Sequence, residues 1–443
     1  MKKWLNLFGA MVLALTVLWL AAEPGLLGSN ELFQWRSALI QYSGILSLLL
    51  MSVAMVLALR LPLIEDWVRG MDKAYRLHKW LGIGGVSLGV VHWLFYQVPK
   101  WLVLSGVLEK PVKHTGEGPA GNLAGWQLWI SELRHFGLEL GEKGFYLLLV
   151  LLVVSLWSVV KYKPFKLSHR LMAVAYLMIA VHSVLLIKRA YWGEPVYFVT
   201  LVFTAMGSLA ALYSLLGLVG RGNRVAATVV STRFLPETRL MELVVRPDHA
   251  WPGHRPGQFA YLSFAEEDPH PFTIVSASHA GELRFLIKEL GDFTTGLYQK
   301  VKQGDPLTIE GPYGRLAFDL NQPQVWVAGG VGIASFFAVL EALQTHKAHP
   351  AVHLFYCTRG TDSALVDELW SLARKARVSL SVIDTQVAPR LNTQQIVAKC
   401  GDLSNYEFYF CGPEAFSKTL KTELEHYRVN VEQHYHEELF VMR

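Results

Sequence analysis

The chain has 443 residues, room for two or three domains, and 52% of them are hydrophobic, giving a mean hydropathy of +0.28. That is more apolar than a water-soluble enzyme of ordinary composition, so a wholly soluble chain is excluded. The formal charge of +5 gives no reason to expect a nucleic-acid partner, because the basic residues gather beside apolar runs.

The apolar excess stops near residue 219; the remainder of the chain has the mixed polarity and Gly/Pro turns of a soluble α/β protein. Before that point six stretches, 4–22, 38–59, 80–100, 144–160, 168–187 and 195–219, are each near the ~20 residues that cross a ~30 Å hydrocarbon layer. The first has no A-x-A cleavage site before Glu23 and reads as a retained span. With the N-terminus inside, the inner connections (1–3, 60–79, 161–166, 221–224) carry twelve Lys/Arg in 33 residues, against eight in 67 outside. This bias orients the soluble half toward the cytoplasm. Cys357, Cys400 and Cys411 all lie in that half, so the outer loops form no intrachain disulfide.

Two spans carry paired histidines. "YRLHKWLGIGGVSLGVVHWLFY" holds His78 and His92, and "KLSHRLMAVAYLMIAVHSVLLI" holds His169 and His182. Ionisable residues inside a membrane are costly and point to function. At 1.5 Å per residue each pair is spread ~20 Å along its helix, so two facing helices offer one histidine pair toward each surface. Such pairs match the axial ligands of two b-type haems. Fourteen helical steps return close to one face but thirteen do not, so the phase must be absorbed elsewhere. Two alternatives stand beside this reading: histidines that only satisfy hydrogen bonds in the bundle, and a metal transporter, which would want mid-membrane carboxylates or thiols that these spans lack. Gly82, Gly84, Gly85 and Gly89 leave room for a flat macrocycle or for close helix packing, and Tyr176 serves either electron hopping or the core. The outer segment 101–142, with Trp126, Trp129 and His135, is expected to include an interfacial helix. Lys188 and Arg189 are candidates to stabilise an anionic acceptor or to anchor the interface.

From Arg224 to about Asp319, short alternating strands ("RVAATVVST", "RLMELVVRP", "QFAYLSF", "ELRFLIKEL") predict a small antiparallel barrel. From "QVWVAGGVGIASFFAVLEAL" onward, strand, glycine turn and helix alternate as in a parallel α/β domain. Gly329, Gly330 and Gly332 end the first strand, where bare backbone lets a phosphate reach N–H groups at a helix start. The full G-x-G-x-x-G fingerprint is missing.

These motifs bring a resemblance into view. "RPGQF", "HPFT", "IKELGDFTTGL", "GPYG", the glycine turn and "CGPE" follow in the order of a ferredoxin-NADP reductase type of flavoprotein. With the histidine spacing, the whole chain resembles the ferric reductase and NADPH oxidase family of transmembrane flavocytochromes b. The resemblance implies a six-helix transmembrane di-haem domain (1–220), an antiparallel β-barrel FAD domain (224–320) and an α/β parallel-sheet NAD(P)H-binding domain (321–443). It implies that Arg255, Gln258, Phe259, His270, Pro271, Phe272 and Thr273 hold FAD, with Thr273 near the isoalloxazine, and Lys288 and Thr294 in the pyrophosphate region. Gly329, Gly330, Gly332, Cys411, Gly412 and Pro413 are implied on the nicotinamide side, with Cys411 close to the reacting ring. Phe440 of the terminal "HEELFVMR" is the implied flavin cover. Ala334 and Ser335 stand where many relatives have Thr-Pro, and the ending lacks a second aromatic. Arg359 in "YCTRG" stands where a guanidinium would meet the 2′-phosphate of NADPH, which favours NADPH, with NADH as the alternative.

The expected function is a multi-pass plasma (inner) membrane oxidoreductase carrying electrons from cytoplasmic NADPH through FAD and two haems to an outer one-electron acceptor, oxygen or a ferric chelate. Membrane lipid surrounds it; an accessory protein is not legible. The alternatives are a membrane electron-transfer cytochrome or anchored flavin reductase serving a quinone or partner protein. No D-x-[DN]-x-[DN]-G calcium loop is present.

Overall fold

The computed structural model describes residues 2–68, 70–109, 125–157, 162–249, 251–264, 267–277, 281–344 and 349–437. It divides into two compact units, Met1–Leu61 with Ala74–Val219, and Pro62–Lys73 with Gly220–Arg443.

In the first unit helices stand at all six apolar stretches: α1 (Lys2–Ala21), α2 (Leu32–Leu57), α4 (Met71–Leu104), α6 (Arg134–Leu156), α7 (Tyr162–Leu186) and α8 (Pro195–Leu215). Among the described residues four helices are long and apolar enough to cross a membrane: α2, α4, α8 and the Phe165–Leu186 part of α7. The apolar part of α1 is shorter, Asn6–Ala21. Helix α6 starts ten residues before the apolar run, through Arg134, Glu139, Glu142 and Lys143. A short helix α5 (Gly125–Glu132) precedes it, so His135 falls on α6 itself. Hydroxyls in the spans turn back on their own backbone: Thr200 donates to the Val196 carbonyl and Thr204 to that of Thr200, at 2.7 and 2.6 Å. This satisfies them without water. The core gathers Leu48 and Met51 of α2, Val86 of α4, Leu148 and Leu151 of α6, and Ala173, Tyr176 and Ala180 of α7.

Between α2 and α4 lies α3 (Pro62–Val68), which belongs to the second unit. That unit has two sheets. The strands β1 (Arg224–Leu235), β2 (Leu240–Pro247), β3 (Phe259–Phe264), β4 (His270–Thr273), β5 (Leu283–Lys288) and β6 (Pro306–Tyr313) form an antiparallel sheet in the order β4-β3-β6-β1-β2-β5. Among the described residues its two ends meet only at a bridge between Ile274 and Phe285, so the expected barrel is a half-open one. Alternating side chains such as Leu243, Val245, Leu262 and Phe285 fill its inside. The short helix α9 (Leu297–Lys300) lies between β5 and β6.

The second sheet is wholly parallel, in the order β11-β10-β7-β8-β9, from β7 (Gln324–Gly329), β8 (Val352–Thr358), β9 (Ser379–Asp384), β10 (Glu407–Cys411) and β11 (Tyr435–Glu437). Every residue of β7 is buried, as a central parallel strand covered on both faces requires. One apolar cluster joins the sheet to α10 (Ala334–Leu343) and α11 (Ser363–Lys375); another joins its opposite face to α12 (Thr393–Cys400) and α13 (Glu414–His426). A last turn, α14 (Val431–His434), leads into β11.

Candidate functional site

The four membrane histidines meet in two pairs. His78 and His169 have ring centroids 5.8 Å apart, and His92 and His182 have theirs 6.2 Å apart. The thirteen-residue spacing on α7 does not prevent the pairing. His78 Nδ1 lies 2.7 Å from the Ala54 carbonyl and His92 Nδ1 2.8 Å from that of Ile40, both on α2. His182 Nδ1 lies 2.9 Å from the Gly137 carbonyl on α6, and His169 Nδ1 3.4 Å from Ser155 Oγ. A carbonyl only accepts, so in the first three rings Nδ1 carries the proton and Nε2 keeps its lone pair. Histidines that ligate metals are held in this way. Two opposed imidazoles on one metal, with bonds of ~2 Å, stand with centroids ~6 Å apart, which both pairs match.

The glycines divide by role. A Cβ on Gly85 would meet Met51 and the Ser47 carbonyl, and Ser47 Oγ donates to the Gly85 carbonyl at 2.7 Å, so Gly85 serves close helix packing. Gly82 has nothing within 4 Å of its Cβ position. A Cβ on Gly141 would collide with the His182 ring. Tyr176 is buried and shares a 2.8 Å hydrogen bond with Ser52, the arrangement of a core residue. Lys188 is committed to the buried Glu23 at 2.6 Å, and Tyr191 donates to the same carboxylate at 2.5 Å. Lys188 therefore ties α1 to the end of α7.

In the second unit, "RPGQF" turns into β3. Gln258 Oε1 accepts the Arg255 N–H at 2.8 Å, and its Nε2 donates to the Gly314 carbonyl at 3.1 Å. Gly257 takes φ +87°, where L side chains are strained. "HPFT" is the outermost strand β4, paired on one side with β3 (Phe259 opposite Thr273, Leu262 opposite His270), and Pro271 is tolerated at such an edge. The His270 ring stacks on Phe293 at 3.7 Å and 1°, with Phe272 beside it. An exposed Arg255 and flat aromatic rings on an edge strand form a set that fits a flavin dinucleotide. Thr294 faces its own turn: Oγ1 accepts the N–H groups of Leu290 and Gly291 at 2.9 and 3.3 Å.

Lys288, at the end of β5, brings Nζ to 3.4 Å from the Cβ position of Gly330, itself at φ +58°. A cation beside that bare turn fits a phosphate. The other glycines there face the protein: a Cβ on Gly332 would collide with the Cys411 carbonyl, one on Gly329 would reach Pro413 at 2.7 Å, and one on Gly412 would reach Gly329 at 3.0 Å. The ends of β7 and β10 thus pack back to back. Ser335, fully buried, donates to Cys411 Sγ at 3.4 Å. Arg359 is exposed at the end of β8, in a turn held by Gly360 N–H to Asp384 at 3.0 Å. Phe440 lies outside the described residues; the strand before it, β11, is held by Lys421 to Glu437 at 2.5 Å and by His436 and His434 on Glu407 at 2.7 and 2.8 Å.

Two features had no sequence signal. Arg284 of β5 bridges Glu242 on β2, at 2.5 Å, and Glu368 on α11, joining the two sheets' domains. Glu65 of α3 is buried against Gly314, 249 residues away. Burial holds its carboxyl above the usual range, against the Gly314 N–H and Arg315, which pull it down.

Three family models match the chain: the ferric reductase like transmembrane component over residues 43–180, the FAD-binding domain over 225–317 and the oxidoreductase NAD-binding domain over 326–422. The dual oxidase 2 of Rattus norvegicus is 25% identical over 390 residues, 80% of this chain and 24% of that protein. The electron transfer component of toluate 1,2-dioxygenase from Pseudomonas putida is 29% identical over 183 residues, 38% of this chain and 54% of that one. The chain thus spans about half of one relative and a quarter of the other. Among solved structures, a flavohemoglobin from Malassezia yamatoensis aligns with a TM-score of 0.46 at 17% identity, covering 91% of this chain and 98% of that one. The chain thus joins a ferric reductase-like transmembrane component to an FAD-binding domain and an oxidoreductase NAD-binding domain, in that order.

Proposed function

We propose that the chain carries electrons from cytoplasmic NADPH across the plasma membrane to an outer one-electron acceptor, oxygen or a ferric chelate. Six spans, with α1 and α6 completing the bundle, belong to this reading, as do the domain limits 1–220, 224–320 and 321–443. The observation that carries it is the pair of opposed histidine couples on a chain that also holds flavin and nicotinamide domains. When bound, two b-type haems would supply one-electron conduction across the bilayer, and FAD the exchange between a hydride donor and one-electron carriers.

The chain's own residues bind and orient. His78 with His169, and His92 with His182, offer Nε2 lone pairs, and the α2 and α6 acceptors fix the ring orientation. Arg255, Gln258, Phe259 and His270 to Thr273 hold the flavin. Thr294 shapes the turn after β5, and Lys288 meets phosphate at Gly330. Gly329, Gly332, Gly412 and Pro413 keep the nicotinamide-side turns in register, with Cys411 and Ser335 beneath. Arg359 selects the 2′-phosphate of NADPH over NADH, and Phe440 covers the flavin.

The test is made on the purified full chain loaded with haem and FAD. NADPH is added without air, haem and flavin absorbance are followed, and oxygen or ferric chelate is then admitted in separate runs. Rapid reoxidation by oxygen with superoxide as product defines an oxidase, and rapid reoxidation by ferric chelate alone a ferric reductase. Failure of NADPH to reduce the haem refutes the path, and an unchanged NADPH-over-NADH preference in Arg359→Ala refutes that residue's role. The likeness to dioxygenase electron transfer components favours a second reading, a flavin reductase serving a quinone or protein. That reading requires a chain without bound haem.

A further inference from the structure

Residues Pro62–Lys73 separate two helices of the first unit, α2 and α4, yet they belong to the compact unit that holds the flavin and nicotinamide domains. The attachment is specific. Glu65 Oε1 accepts the Gly314 N–H at 2.6 Å, and the neighbouring Asp66 pairs with Arg315. Glu65 is only 4% exposed, so its carboxyl has been taken out of water to meet that amide. Gly314, at φ +102°, then passes the hold onward: its carbonyl accepts Gln258 Nε2, and Gln258 Oε1 accepts the Arg255 N–H. The Gln258 backbone carbonyl also accepts the Ile274 N–H at 2.9 Å, immediately after Thr273. One hydrogen-bonded chain therefore runs from α3 through the "GPYG" turn to both flavin motifs, the loop of Arg255 and the end of β4.

We propose that Glu65 is a positioning residue for the flavin, holding through Gly314 and Gln258 the loop that carries Arg255, so that the segment leading into the His78 helix is a working part of the flavin cradle. This rests on the assignment of residues 255–259 and 270–273 to FAD. Asp66, 57% exposed, contributes little, because an exposed ion pair is screened by solvent. The buried amide of Gly314 has more to lose, since an unmet donor bears its whole desolvation cost.

The test uses the full chain in detergent, stripped of FAD and titrated with it by flavin fluorescence, with haem content as the measure of an intact helical unit. Glu65→Ala is expected to weaken FAD binding by at least about tenfold with haem content unchanged. Glu65→Gln, which keeps an oxygen acceptor of similar reach, is expected to stay within about threefold of wild type, and Asp66→Asn likewise. Wild-type affinity in Glu65→Ala overturns the proposal, and so does a loss in Glu65→Gln as large as in Glu65→Ala. If Glu65→Ala does not fold, hydrogen exchange on the wild type decides: added FAD is expected to slow the amides of 62–68 together with those of 255–258 and Gly314, because the linkage is reciprocal. Protection of the 255–258 loop with no change in α3 overturns it. A wild-type chain that binds no FAD refutes the flavin assignment itself, a result distinct from FAD binding that is indifferent to Glu65.

Discussion

Replacing Arg284 by methionine keeps much of the side chain's bulk and removes its charge, and the surroundings set the cost. The guanidinium side chain is 14% exposed, meets Glu242 (13% exposed) at 2.5 Å, reaches Glu368 (31% exposed) with both terminal nitrogens, and lies 5.5 Å from the centre of the Phe337 ring. Glu341 adds a further carboxylate nearby, held above the usual range by burial. Removing one partner of a buried pair costs ~3–5 kcal/mol because the other is left charged and dry. The partial exposure of Glu368 selects the lower end, about 3 kcal/mol. For a unit of this size that lowers the midpoint of thermal unfolding by about 6–12 °C. Melting of the full chain in detergent, followed by release of flavin fluorescence, reads it. A cycle with Glu368→Gln is expected to give a coupling of about 1–3 kcal/mol. Arg284 and Lys288 are four residues apart on β5, so they share a face. NADPH affinity should therefore fall with stability in Arg284→Met. A midpoint within about 2 °C of wild type, or purely additive effects, would refute the claim that this cluster joins the two domains.

Other expectations can be checked on the same protein. On the proposed di-haem reading, alanine at any one of His78, His92, His169 or His182 should lower haem content by about half, because each iron would need both nitrogens of its pair; full haem in any single variant counts against the pairing. Gly332→Ala drives a methyl group into the Cys411 carbonyl and should cost about 1–3 kcal/mol, seen as weaker NADPH binding with FAD binding kept. Burial pushes the Cys357 and Cys400 thiols up to about 12 and about 11. Their protonated forms are favoured in the folded chain, so the stability they contribute is complete below the unfolded value near 9 and is lost as pH rises from there through 11 to 12. Labelling of Cys357 at pH 8 should accordingly require unfolding, with the half-buried Cys400 the more accessible of the two; rapid labelling of Cys357 in the folded chain contradicts its burial.

Legibility in the sequence depends on which interactions are periodic. The alternating strands and the glycine-ended β7 write a spacing into the chain and stand where that spacing placed them, whereas the histidines meet in pairs although the thirteen-residue step on α7 departs from one helical face. The polar opening of α6 was missed because Arg134, Glu139, Glu142 and Lys143 interrupt the apolar run without interrupting the helix. Lys188 reads as a free cation in sequence because its partner Glu23 is 165 residues away. The glycines after β7 suit a phosphate in sequence, but Gly329 and Gly332 answer first to the neighbouring turn at Cys411 and Gly412. Glu65 and Arg284 gave no local signal, since their meaning lies wholly in long-range contacts.

The grip on His78 and His92 has a consequence for how this protein tolerates change. Helix α2 contributes no ligand, yet the carbonyls of Ala54 and Ile40 aim both rings. Any amino acid supplies a carbonyl, so the orientation of the rings is inherited from the helical path itself, and what restricts the buried Ala54 is its packing and not that carbonyl. In a library of variants, position 54 should admit only small residues for reasons of packing and the path of α2 should be indispensable, with the orientation of the two rings stored in a backbone rather than in a residue name.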